Sequence, residues 1–118
     1  VRAWLLASAC VAAAACVTPL RTSGTAQVIR WGEFTDRLML DCSTGARLQI
    51  GMGSSNYTFD WQIEKWLAEN EGPLLLDFAA IEGPLPSDWP AARDADRAVS
   101  LVRVSALRRG SCDTAKPQ

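Results

Sequence analysis

A small, mainly β domain, a five-stranded barrel with one helix between its third and fourth strands, is the fold class predicted by this 118-residue sequence. Three observations predict it. Around the turn Ser43-Thr44-Gly45, apolar and polar side chains alternate from Leu38 to Met52, the two-residue period of a β-hairpin. After Gly53 the period changes once, to the i, i+4, i+7, i+8 spacing of Phe59, Ile63, Trp66 and Leu67, which belongs to one amphipathic helix. Beyond Gly72-Pro73, apolar runs of strand length return at residues 74–81 and 98–107.

The chain opens on Arg2 and a stretch from Ala3 to Val17 that is apolar except for Ser8. A charged start, an apolar core of about 7 to 15 residues and small residues behind it define a secretory signal, whereas a spanning helix needs about 20 apolar residues. Residues 1–16 therefore read as an export signal. Its end, Ala13-Ala14-Ala15-Cys16, resembles that of a bacterial lipoprotein signal, with Ala13 where that family usually carries leucine. The resemblance implies cleavage before Cys16 and acyl chains on that residue, which would hold the protein at a membrane. An ordinary cleaved signal and an uncleaved anchor are the alternatives. Residues 17–25, VTPLRTSGT, are small and polar with a proline and a glycine, and read as a flexible tether.

The body follows as a domain over residues 26–113, long enough for one core and too short for two. Ala26 to Phe34 carries Val28, Ile29, Trp31 and Phe34 and reads as a first strand that bends or bulges at Gly32. In the hairpin, Leu38, Leu40 and Cys42 are read as alternating with Met39 and Asp41, and Ala46, Leu48, Ile50 and Met52 with Arg47 and Gln49, leaving one apolar and one wetter face. The helix spans roughly 58–70, with Thr58 or Asp60 as cap and Gly72-Pro73 as stop. Residues 83–97, GPLPSDWPAARDADR, form a long loop between the last two strands, and residues 114–118 a loose tail.

Strand, strand, strand, helix, strand, strand is the order of a five-stranded OB barrel. Asp41-Cys42 in the second strand, Gly45, the small polar stretch before the helix, Gly72-Pro73 before the fourth strand and a last strand ending just before Cys112 carry a family resemblance. Together they resemble the OB-type domain of small bacterial envelope lipoproteins, the group that includes the C-terminal domain of NlpE. The resemblance implies fold and an envelope location, and no metal site.

Two of the four cysteines, Cys10 and Cys16, lie in the leader and leave Cys42 and Cys112 in the body. A pair in an oxidising compartment reads as a disulfide, and closing a loop of about 70 residues stabilises a small domain by about 2 to 4 kcal/mol. Two unpaired thiols or a metal pair are the alternatives, the latter poor because two cysteines and no histidine make no closed zinc site. The 12 Lys and Arg stand against 13 Asp and Glu, with no basic cluster, which argues against a nucleic-acid partner.

With no histidine, a Ser-His-Asp triad and a Cys-His dyad are excluded. The lysines, Lys65 and Lys116, fall on a polar helix face and in the tail, and the carboxylate pairs Glu33 with Asp36 and Asp94 with Asp96 read as surface-turn residues. Gly51-Met52-Gly53-Ser54-Ser55 reads as a glycine-eased turn before the helix in preference to an anion loop, and Asn56-Tyr57-Thr58 as a chance match to a glycosylation site. No catalytic set, cofactor or metal is expected. Trp66 fits the buried helix stripe, so Trp31, Trp61 and Trp89 remain as possible contacts for a ligand or partner. Trp89 lies in the loop after the fourth strand, where OB barrels bind ligands, and either anchors a ligand there or folds back over one end of the barrel. The expectation is a non-enzymatic exported envelope protein, periplasm-facing and anchored through lipid at Cys16, binding an envelope protein or a small envelope component. The alternatives are a structural or accessory lipoprotein and a periplasmic inhibitor of a cell-wall hydrolase.

Overall fold

The computed structural model describes residues 21–51, 56–85 and 88–115. The expected export signal with Cys16, the first residues of the expected tether, Met52–Ser55 and Lys116 lie outside them. Five strands close into a barrel in the order β1-β2-β3-β5-β4, with β1 at Arg21–Trp31, β2 at Arg37–Asp41, β3 at Arg47–Ile50, β4 at Leu74–Gly83 and β5 at Arg97–Arg109. Helix α1, Asn56–Glu69, stands between β3 and β4, as the change of period predicts. A one-turn helix α2, Cys112–Ala115, ends the described chain.

β1 starts at Arg21, so Arg21–Thr25 are strand rather than tether: they pair with Asp77–Ile81 of β4. Composition suggested a linker there, but a neighbouring strand satisfies the backbone of small polar residues as well as water does. The bulge also moves. The register of β1 with β2 shifts at Ile29, between the pairs Val28↔Met39 and Arg30↔Leu38, whereas Gly32 serves a turn in which its N–H donates to the Asp36 carbonyl at 2.9 Å. β1 ends at Trp31, short of Phe34.

The hairpin turn is where the sequence places it. Gly45 has φ +76, a left-handed conformation that glycine adopts without steric cost, and the Asp41 carboxylate accepts from the Ser43 N–H and hydroxyl at 3.0 and 2.9 Å. The inward face of β2 is the reverse of the one read from alternation. Met39 pairs with Leu48 and both enter the core, while Leu38 pairs with Gln49 on the outside. Leu38 and Gln49 are nonetheless fully buried, so something covers them.

The core holds Met39, Leu48, Phe78, Leu76 and Leu101, with Ile63 of α1 plugging one end beside the partly buried Phe59, Trp66 and Leu67. That is the helix stripe the sequence predicts. Asn56 rather than Thr58 or Asp60 opens the helix, so neither of the latter caps it. Gly72, φ +89, follows the helix as expected. Cys42 and Cys112 form the disulfide, with Cα atoms 5.0 Å apart, tying the end of β2 to α2. The Cys112 N–H donates to Gln27 Oε1 at 3.0 Å, and α2 reaches Ala115, two residues into the expected tail.

Candidate functional site

Strand pairing lays one row of outward-facing positions across the barrel: Gly83 of β4, Ala98 of β5, Gln49 of β3, Leu38 of β2 and Arg30 of β1. The β4–β5 loop folds back over this row. Its single 3-10 turn, Pro90–Arg93, buries Ala91 completely, and the Ala91 N–H donates to the Thr35 carbonyl at 3.3 Å. Arg30 reaches up to Asp94 at 3.1 Å and sideways to Asp36 at 2.7 Å, and these carboxylates, Asp36 foremost, raise its pKa further. Asp96 clamps the far end, where its carboxylate accepts from the Arg47 N–H and its own N–H donates to the Arg47 carbonyl, both at 2.8 Å. The face of β2 and β3, where OB barrels take ligands, is thus covered by the chain's own loop.

Under that cover the Gln49 amide is buried with neither its oxygen nor its nitrogen bonded, a costly arrangement for a polar group. The acidic residues weighed as acid–base pairs are spent on structure. Asp36 and Asp94 bracket Arg30 and Asp96 fastens the loop, whereas Glu33 enters the turn only through its backbone carbonyl, which accepts from the Asp36 N–H at 2.8 Å.

Trp89 stands where the loop leaves the barrel. It is half-buried and walls a cleft of about 250 Å³ whose floor and sides come from Gly51, Gly83, Pro84, Ala98 and Ser100. Small residues on three adjacent strands leave room beside a broad aromatic wall, which is the shape of a slot for one ring. Trp61 is 63% exposed on α1, with the Lys65 ammonium 5.2 Å from its ring centre, over a shallow hollow shared with Trp66 and Leu107. Trp31 packs against the core, under the guanidinium of Arg37 at 4.8 Å. The three tryptophans occupy three different settings, and of them only Trp89 borders the loop expected to bind.

Arg37 is buried between two aromatic rings, Trp31 and Phe34, the latter at 5.1 Å, and pairs with Asp60 and, at 2.9 Å, with Glu64. This network fastens α1 to β2. Burial raises the Asp60 pKa above its ordinary value, outweighing the opposing hydrogen bond and charge of Arg37. Asp60 Oδ1 and Trp31 Nε1 are left without hydrogen-bond partners.

A second hollow, of about 240 Å³, lies on the outer face of β1, β4 and β5, between Arg21 and Arg103. Sequence reasoning missed it because the β5 bulge that turns both Val102 and Arg103 outward has no local signature. Among the described residues no group of His, Cys, Asp or Glu could hold a metal ion, and no helix is long and apolar enough to cross a membrane. Compared with protein-family models, curated proteins and solved structures, the chain matches none.

Proposed function

We propose that this protein is a non-catalytic binding module of the bacterial cell envelope, exported by its leader, held at a membrane through lipid on Cys16, and taking a small envelope component in the slot beside Trp89. The observation that carries the reading is the slot itself, an aromatic wall over Gly51, Gly83 and Ala98, left open while the β4–β5 loop closes the face of β2 and β3. The carboxylates of Asp36, Asp60, Asp94 and Asp96 are held in ion pairs or backbone contacts, which fits a scaffold better than acid–base chemistry.

Backbone amide NMR with a panel of solubilised envelope fragments, glycan and peptide, tests the slot. Saturable shifts should concentrate at Gly51, Gly83, Ala98 and Ser100. In Trp89→Ala they should vanish while Tm moves by less than about 5 °C, since the ring is only half-buried. Shifts centred elsewhere, or an unfolded variant, would assign Trp89 to structure alone. The address is tested by the intact mass of protein recovered from its own envelope, which should begin at Cys16 and carry acyl chains.

A further inference from the structure

The slot beside Trp89 and the hollow between Arg21 and Arg103 are neighbours along one pair of strands. Gly83 pairs with Ala98 in the slot's floor, Ile81 pairs with Ser100 at the next outward step, and Ala79 pairs with Arg103 at the step after that. Ser100 lines the slot and its partner Ile81 lines the hollow, so the two depressions adjoin across this one strand pair. On the other side β1 supplies Arg21 opposite Ile81 and Ser23 opposite Ala79.

The hollow is cationic for a structural reason. The bulge in β5 places Val102 and Arg103 together on the outer face, opposite Ala79, so the guanidinium is aimed over a floor of small side chains. Among the described residues Arg30, Arg37, Arg97 and Arg108 make ion pairs, whereas Arg21 and Arg103, like Arg47, Arg93 and Arg109, make none. The nearest acids are taken: Asp77 accepts from Thr25 Oγ1 at 3.0 Å and pairs with Arg108 at 3.4 Å, and Glu82 pairs with Arg97 at 3.6 Å. Two guanidinium groups that line one hollow and have no ion-pair partner among the described residues give it a positive charge that an anionic group from outside can neutralise.

We propose that the slot and the hollow are one elongated site for an oligosaccharide that carries carboxylate or phosphate groups, with one sugar ring stacked on Trp89 and an anionic group of a later unit held between Arg21 and Arg103. The proposal rests on the Trp89 reading and extends it to a ligand class. From Gly83 to Ala79 the strand covers about 13 Å at about 3.3 Å per residue, too far for a single ring to touch both ends. Ser100, midway beside Ile81, and Ser23, at the far end beside Ala79, offer hydroxyls of the kind that exchange hydrogen bonds with sugar hydroxyls. A peptide is less well served. β4, which runs down the middle of the site, is paired with β1 on one side and β5 on the other from Leu75 to Ile81, so it offers an extended backbone no free edge there.

The test is calorimetric titration of the disulfide-bonded protein with hyaluronan tetrasaccharide, which bears carboxylates, with neutral chitotetraose, with a proline-glutamate peptide and with inorganic phosphate. Hyaluronan tetrasaccharide should bind at least about 10-fold more tightly than chitotetraose at low salt, and the difference should fade as salt rises. Arg21→Gln with Arg103→Gln, both exposed and free of internal partners, should remove that preference and leave the neutral sugar's affinity unchanged, while Trp89→Ala removes both. Equal affinities for the two sugars, or a preference that survives the double arginine substitution, would overturn the elongated site and leave the Trp89 slot standing. Binding of neither sugar, or tighter binding of the peptide or of phosphate alone, would overturn the ligand class, and the fragment mapping described above then decides separately whether Trp89 binds anything.

Discussion

Arg37 shows how one residue can join elements that sequence spacing does not connect. A buried guanidinium is tolerated because two rings stack on it and two carboxylates of α1 neutralise it. Removing it leaves Asp60 buried without its counter-charge. Arg37→Ala should therefore cost about 3 kcal/mol in denaturant unfolding, and a loss near that of a surface substitution would show that the network is worth little. Asp60 also sets a pH dependence. Its folded pKa lies above the ordinary 3.8, so as pH rises from that value the unfolded chain gives up its proton first and stability falls until the folded carboxyl has ionised. Asp60→Asn should flatten that part of the stability profile. None of this was legible in the sequence, where Asp60 reads, with Thr58, as a candidate helix cap and nothing marks out Arg37. A cap is a local signal, whereas an ion pair between α1 and β2 exists only once the barrel has closed.

Among the elements, the β4–β5 loop behaves as a strap. Proline and alanine give it little to bury except Ala91, so its position depends on Asp94 and Asp96. Asp94→Ala should leave the barrel intact and raise hydrogen exchange at Ala91, whose N–H bonds Thr35 across the covered face. Unchanged exchange there would mean that packing alone holds the strap. The loop's length and composition were readable in advance, and so was the presence of a tryptophan at its centre. Its path was not, because the same residues can extend into solvent or fold back, and the choice is made by partners on β1 and β3. The helix, by contrast, was legible almost entirely, since Phe59, Ile63, Trp66 and Leu67 bury the face that their spacing defines.

For the whole molecule the disulfide closes the long loop between the end of β2 and α2, spanning 70 residues and most of the barrel. Cys42→Ser and Cys112→Ser should each lower stability by the same amount, about 2 to 4 kcal/mol, as expected when both remove one constraint on the unfolded chain. A difference between them would show that one thiol also packs for its own sake. The order of strands along the chain and the place of the helix were determined by the sequence alone, and the pairing of the two body cysteines was its expectation, because periodicity, turn residues and cysteine count are local or countable properties. The tertiary structure decided which face of β2 turns inward, that Arg21–Thr25 is strand, that the β2–β3 face is covered, and that Arg21 and Arg103 line one hollow. Each of these depends on register, and register is settled only when strands distant in sequence lie side by side.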